Sequence, residues 1–115
     1  WTTDNITAYY SSDIKLKENV TLIDNALDKV KQIRGVEFDW TKEFIEKQGG
    51  EDGYFVRKHD VGVIAQEIEK VLPEVVAERE DGTLAVKYEK IVPLLIQAIK
   101  ELSKEVEKLK YDISK

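Results

Sequence analysis

Residues 91–113, Ile-Val-Pro-Leu-Leu-Ile-Gln-Ala-Ile-Lys-Glu-Leu-Ser-Lys-Glu-Val-Glu-Lys-Leu-Lys-Tyr-Asp-Ile, form the longest stretch with helical periodicity in this sequence. They belong to a predicted C-terminal helix from about Tyr88 to Lys115, in which Pro93 falls near the first turn, where its missing N–H costs little. The regularly spaced apolar positions are Ile91, Leu95, Ala98, Leu102, Val106, Leu109 and Ile113. Their intervals of 4, 3, 4, 4, 3 and 4 residues make two eleven-residue periods, which predict a nearly straight or slightly right-handed bundle.

The two halves of this predicted helix differ in polarity. The first half is apolar on nearly every side, because it also carries Val92, Leu94, Ile96 and Ile99. Such a helix must be buried on several faces. After Leu102 only a narrow apolar seam remains between charged residues, and such a seam favours a partner helix. The seam is compatible with two, three or four strands, and packing within one chain is the alternative.

The first half of the sequence contains a predicted helix, a strand and a short second helix. Thr21 and Asp24 have the spacing of a capping box, and apolar residues then recur at helical spacing from about Leu22 to Ile33. Gly35 ends this helix. The alternating residues 36–40 predict a half-buried strand with Trp40 in the core, and residues 41–48 predict a short helix.

The middle of the sequence predicts a small antiparallel β part. Residues 54–57 are expected to form a strand that returns against 36–40, and residues 61–64 a short buried stretch. A helix over 65–72 ends at Pro73. Residues 75–79 and 83–87 predict a hairpin with a two-residue Asp-Gly turn. The fold class is therefore α+β, with short helices and one long C-terminal helix.

Composition limits the possible functions. The chain has 115 residues, enough for one small domain, and its net charge of -5 argues against nucleic-acid or anionic-membrane partners. It has no cysteine and one histidine, so we expect no metal site and no cofactor. No apolar run is long enough to span a membrane. The sequence has no methionine and begins at Trp1, so we expect it to be the end of a longer protein, whose upstream strand would include residues 1–10; a frayed terminus is the alternative.

The stretch from Ser11 to Val20 contains a hydroxyl at Ser12 and an amine at Lys17, five residues apart. A serine becomes a nucleophile when a base takes its proton, and a desolvated lysine can be that base. The spacing alone also fits a turn or helix cap formed by Ser12 or Asp13, with the lysines in solvent. Both interpretations remain open at this point.

Several further motifs follow this stretch in a fixed order. They are Gly35-Val36-Glu37-Phe38-Asp39-Trp40, Val61-Gly62-Val63-Ile64-Ala65-Gln66-Glu67-Ile68, Leu72-Pro73-Glu74-Val75-Val76, Val86-Lys87-Tyr88 and the run from Ile91 to Ala98. Together with Ser12-Asp13-Ile14-Lys15-Leu16-Lys17, they give residues 11–113 a close resemblance to the intramolecular chaperone auto-processing domain. That domain forms the C-terminus of phage tail spikes, tail fibres and endosialidases, and it recurs in the myelin regulatory factor.

The resemblance implies self-cleavage between Ser11 and Ser12, with Ser12 as the nucleophile and Lys17 as the general base. It divides the chain into residues 1–11, the end of an upstream fibre or spike region, and residues 12–115, the chaperone domain. Asp13, His59 and Glu67 are candidate accessory residues. For Glu67 we prefer stabilisation of a helix N-terminus. The oxyanion donor is not identifiable from the sequence.

The resemblance also implies a homotrimer, whose long helices form a trimeric helical bundle. Such a domain would assist folding of the upstream tail fibre or spike in the host bacterial cytoplasm and then release itself as a single-turnover serine peptidase. Its partners would be its own copies and the upstream region of the same polypeptide. The alternatives are a trimeric end-cap that never cuts, and a coiled-coil adaptor for a separate protein.

Overall fold

A computed structural model describes residues 12–52 and 56–114. The helices are α1 (Ala26–Lys31), α2 (Lys42–Lys47), α3 (Ala65–Val71) and α4 (Ile91–Ser114). The strands are β1 (Val36–Asp39), β2 (His59–Gly62), β3 (Val76–Glu78) and β4 (Leu84–Val86). Short 3-10 turns lie at Ile14–Leu16, Pro73–Val75 and Tyr88–Lys90. Strand β1 pairs antiparallel with β2, and β3 with β4, so the α+β class and the long C-terminal helix are confirmed.

The core lies along one side of the first half of α4. One buried cluster joins Ala26 of α1 to Leu94 and Ala98 of α4, and a second joins Ile68, Val75 and Ile91. Ile33 and Leu72 pack against both clusters, so the two clusters form one continuous core. Pro93 lies in the first turn of α4, as predicted.

The first helix begins later than predicted, because its N-terminus is capped from a distance. Helix α1 starts at Ala26, and the preceding Asn25 is left-handed (φ 52°) and makes no side-chain cap. The predicted Thr21–Asp24 capping box is therefore wrong. The N–H groups of Ala26 and Leu27 instead donate to the carboxylate of Glu101 on α4.

The strand that pairs with β1 is not the one predicted. The partner is β2, in the register from Val36 opposite Gly62 to Asp39 opposite His59. Residues 56 and 57 lie outside any strand, and residues 53–55 lie outside the described part. The prediction failed because the inward positions of β2 are Asp60 and Gly62, which carry no apolar signal. Within the predicted buried stretch, Val61 is 66% exposed.

The β3–β4 hairpin is confirmed, but its loop has three residues. Arg79 N–H donates to the Thr83 carbonyl at 2.8 Å, which leaves Glu80, Asp81 and Gly82 between the pair. Gly82 has φ +86°, which glycine adopts without strain. The Thr83 hydroxyl, the Thr83 N–H and Lys47 hydrogen-bond to Asp81 and lower its pKa to about 2.

Gly62 is a position where the packing leaves no room for a side chain. A Cβ there would lie 2.7 Å from the Tyr88 hydroxyl and 3.4 Å from Cε1 of Phe38. We expect Gly62→Ala to lower the free energy of unfolding by about 1–3 kcal/mol, since Tyr88 must move to relieve the clash. Urea denaturation measures this. Gly35→Ala is the control because nothing lies within 4 Å of its Cβ, and equal losses for the two variants would contradict the prediction.

Candidate functional site

Ser12 and Lys17 are in direct contact: Nζ of Lys17 donates to Oγ of Ser12 at 3.1 Å. A 3-10 turn over Ile14–Leu16 reverses the chain between them, and Asp13 caps it by accepting from the N–H of Lys15 at 2.9 Å. The structure therefore contains both the turn capped by Asp13 and the Ser12–Lys17 contact that a dyad would require. The 3.1 Å separation is within the range in which a neutral amine accepts a hydroxyl proton.

The segment that carries this pair is exposed. Each of residues 12–22 is exposed, and its large apolar side chains are 65–75% exposed: Ile14, Leu16, Val20 and Leu22. Among residues 12–52 and 56–114, the Ser12 hydroxyl hydrogen-bonds only to Lys17. Within the described part of one chain, this pair is therefore open to solvent.

His59 lies at the start of β2 and bridges two carboxylates of β1. Its Nδ1 is 2.9 Å from Oδ1 of Asp39, and its Nε2 is 3.1 Å from Oε1 of Glu37. These hydrogen bonds, first to Asp39 and then to Glu37, raise the pKa of His59. Its hydrogen bonds therefore link β2 to β1 and do not reach Ser12 or Lys17.

The His59 bridge predicts a pH-dependent stability. The pKa of His59 in the folded protein is raised above its ordinary value of 6.5. The contribution of the bridge to the free energy of unfolding is therefore fully present below pH 6.5 and is lost as the pH rises through the folded pKa. We expect wild type to be more stable than His59→Gln near pH 6 and equal to it by about pH 9. Urea midpoints at both pH values measure this, with the exposed Lys58→Gln as control. A pH-independent difference would refute it.

Glu67 lies in the first turn of α3, as predicted, but its partner is Arg34. The Arg34 guanidinium donates to Oε2 of Glu67 at 2.9 Å and 2.6 Å, and the Arg34 N–H donates to Oε1 at 3.1 Å. Arg34 holds the pKa of Glu67 below its usual range. Glu67 therefore links the loop between α1 and β1 to α3. The structure brings Ser12, Asp13 and Lys17 together and leaves His59 and Glu67 in separate contacts.

An apolar groove of about 960 Å³ lies between the two sheets. Its lining includes Phe38, Phe44, Ile64, Gln66 and Tyr88. Trp40 also lines it, half-buried, edge-on to Phe38 at 4.8 Å and stacked on Phe44 at 4.3 Å. No local sequence pattern indicates this groove, because its walls come from elements that are far apart in the sequence. Within the described ranges, no group of three or more His, Cys, Asp and Glu residues fits a metal ion, and no helix is long and apolar enough to cross a membrane.

Helix α4 exposes a continuous apolar surface, which we call the heptad stripe. Its members are Val92, Leu95, Ile99, Leu102, Val106, Leu109 and Ile113, between 41% and 84% exposed. Their spacing alternates strictly between 3 and 4 residues. Ile91 and Ala98 of the predicted seam are instead buried in their own chain. The predicted eleven-residue period is therefore corrected to a heptad repeat, which predicts a left-handed supercoil.

Comparisons with known proteins show the family of this chain. The chain belongs to the family described as chaperone of endosialidase, which matches residues 12–77 and whose name classes its members as peptidases. The chain is 41% identical over 105 residues to the long tail fiber protein Gp37 of Enterobacteria phage K3. This match covers 88% of this chain and 8% of that protein. It is 38% identical over 106 residues to Gp37 of Enterobacteria phage Ox2. That match covers 89% of this chain and 39% of that protein.

A similar region also occurs outside phages. The myelin gene regulatory factor-like A protein of Dictyostelium discoideum is 26% identical over 113 residues, covering 89% of this chain and 12% of that protein. The chain therefore spans a minor part of each of these relatives.

Proposed function

We propose that this chain is the C-terminal intramolecular chaperone of a phage tail fibre or spike. It trimerises, assists folding of the upstream region in the host cytoplasm, and releases itself by autoproteolysis between Ser11 and Ser12. The contact between Lys17 Nζ and Ser12 Oγ carries the chemical part of the proposal. The tail fibre relatives support the location in a virion fibre precursor.

The cleavage proceeds in two balanced steps. In the first step, Lys17 takes the hydroxyl proton of Ser12 while Oγ attacks the Ser11 carbonyl carbon. The amide C–N bond then breaks, and the Ser12 nitrogen gains a proton. The product is an ester between Ser11 and the Ser12 hydroxyl. Water then hydrolyses this ester, which leaves a carboxylate at Ser11 and a free amino group at Ser12. Each chain cuts once, so no external substrate is turned over.

The heptad stripe supports assembly through α4. Positions one and four of each heptad are β-branched residues and leucine respectively, a pattern also compatible with two strands. The exposed Ile96 lies beside Val92 and Ile99 and widens the apolar surface in the first heptads. A wider surface is better covered by two neighbouring helices than by one, which favours three strands.

Charge patterning favours a parallel arrangement of the helices. Glu105 occupies the seventh position of one heptad and Lys110 the fifth position of the next. In a parallel, in-register bundle these positions of neighbouring helices face each other, so the opposite charges attract. In an antiparallel pair, seventh positions face one another and would bring Glu105 close to Asp112.

Assembly explains how an exposed dyad becomes active. The exposed apolar residues of the 12–22 segment gain burial only against another surface, and desolvation favours the neutral amine that a general base requires. If a neighbouring copy provides that surface and the oxyanion donor, cleavage follows correct assembly. Slow folding of non-local β structure upstream is the process that such a chaperone would assist.

A second function, a trimeric end-cap that does not cut, is favoured by one observation. Ser12 and Lys17 are exposed in one chain, so the described residues do not supply the desolvation that a lysine base requires. In that case the heptad stripe would act alone and hold three chain ends together.

Intact mass and N-terminal sequencing of a longer chain, wild type and Ser12→Ala, test the proposal. We expect wild type to yield a fragment that begins at Ser12 and Ser12→Ala to remain intact, with both forming trimers by light scattering. Intact chains in both cases, still trimeric, would support the passive cap. A monomer would contradict both functions.

A further inference from the structure

The carboxylate of Glu101 holds the start of α1. The N–H of Ala26 donates to Oε2 and the N–H of Leu27 donates to Oε1, each at 3.1 Å. Glu101 is half-buried, and it lies 75 residues after Ala26 in the sequence. The first two backbone donors of α1 are thus satisfied by a side chain of α4.

The local sequence provides no substitute for this contact. Asn25, immediately before α1, is in the left-handed conformation (φ 52°) and makes no side-chain cap. Free N–H groups at a helix N-terminus need an acceptor, and a carboxylate also interacts favourably with the helix dipole. The position at which α1 begins is therefore set by Glu101.

Glu101 also lies at a boundary within α4. Ala98, three residues earlier, is the last buried residue of α4 in the chain, whereas each residue from 102 to 114 is exposed. Leu102, which directly follows Glu101 in the sequence, belongs to the heptad stripe. Glu101 thus joins the half of α4 that packs on the domain to the half in which every described residue is exposed.

We propose that Glu101 is a positioning residue for self-cleavage. The segment 12–25, which carries Ser12 and Lys17, runs directly into α1, so the Glu101 contact at Ala26 and Leu27 anchors the end of that segment next to α4. Within the segment, Ile23 packs against the core, and residues 12–22 are exposed. The inference rests on the proposed function and adds the residue that couples assembly through α4 to the dyad.

Removing the carboxylate should slow cleavage without preventing assembly. Glu101→Gln keeps one acceptor oxygen but turns an NH₂ group toward a backbone donor, so at least one charge-assisted hydrogen bond is lost. We expect cleavage to slow about tenfold, since hydrogen bonds to charged groups are the stronger class. The heptad stripe is unchanged, so the oligomeric state should be unchanged.

The test measures the cleavage rate constant of a longer chain after refolding, with light scattering on the same samples. Glu107→Gln is the charge control, because Glu107 is exposed on the same helix. Val30→Ala weakens the packing of α1 on α4 and leaves the Glu101 contact intact. The cleavage rate of each variant is measured at the same number of degrees below its own melting midpoint. A difference in rate between variants then does not arise from a difference in stability.

We expect Glu101→Gln to be about tenfold slower than Val30→Ala and Glu107→Gln at equal assembly, with Glu101→Asp intermediate because it keeps the carboxylate. Amide exchange at Ala26 and Leu27 should also be faster in Glu101→Gln. Equal rates in Glu101→Gln and Val30→Ala would overturn the inference and leave the proposed function intact. A wild-type chain that never cuts would overturn both.

Discussion

Replacing Leu102 and Val106 together with glutamate should leave the domain folded but monomeric, if copies assemble through α4 as we propose. Both side chains are exposed in one chain, at 47% and 41%, and lie on the heptad stripe. Burying a leucine or valine contributes about 1.5–3 kcal/mol, and this gain is repeated in every copy. Two carboxylates at those positions would remove the gain and place like charges together at the centre of the bundle.

Light scattering measures the loss of assembly, and circular dichroism checks the fold. Lys104→Glu is the matched control: it changes the net charge by the same amount as the double substitution and lies off the stripe. We expect Lys104→Glu to remain assembled. An assembled Leu102→Glu/Val106→Glu variant would show that α4 is not the contact between copies.

The second large effect, on the rate of self-cleavage, is expected at Lys17. Two substitutions there distinguish a role as general base from a role as a structural hydrogen-bond donor. Lys17→Met removes the amine. Lys17→Arg retains a positive charge and donors for the Ser12 hydroxyl, but arginine does not lose its proton in proteins. Because general-base catalysis contributes about 10²–10⁴-fold, both variants should cleave at least about a hundredfold more slowly than wild type.

The appearance of the fragment that begins at Ser12 is followed by intact mass over time. Lys15→Met is the control, since only the backbone N–H of Lys15 takes part in the Asp13 cap. We expect it to cleave at the wild-type rate. Wild-type cleavage in Lys17→Arg would mean that Lys17 only holds the hydroxyl in place and that another group accepts the proton.

Much of the fold was predictable because several elements follow local periodicity. The alternation before Trp40, the helical spacing after Ala65 and the Asp-Gly signal of the hairpin all predicted the correct type of element. Strand β2 was missed because its inward positions are polar or lack a side chain. Trp40 Nε1 donates to Asp60 at 3.2 Å, so the inward carboxylate is explained only by its partner across the sheet.

The seam of α4 was assigned the wrong phase for a related reason. The first half of α4 is apolar on most sides, so two sets of positions fit the sequence, one beginning at Ile91 and one at Val92. Only the packing of Leu94 and Ala98 against α1 shows which set is left exposed. The set from Val92 has the stricter repeat, with intervals that alternate between 3 and 4 residues, but a repeat by itself does not show which set the domain buries.

The candidate site also contains both contacts between residues close in the sequence and contacts between residues far apart in it. Ser12 and Lys17 meet through a single short turn, so their contact is local. Their spacing fitted a solvent-exposed turn as well as a dyad, and the resemblance of the wider set of motifs is what favoured the dyad. The contacts of Glu67 with Arg34 and of Glu101 with α1 join residues far apart in the sequence. No local pattern predicts such contacts, because they depend on how the helices pack.

The exposed second half of α4 has a thermodynamic consequence for a newly made chain. The side chains of residues 102–114 gain no burial from their own chain, so the backbone hydrogen bonds that continue from the packed half of α4 are what keep this segment helical, and fraying from its free end costs little. If copies associate as we propose, the ordering of this segment and the association are one coupled event, in which neighbouring copies compensate for the lost conformational entropy. In that case the tail of this domain folds as a ligand of its own copies.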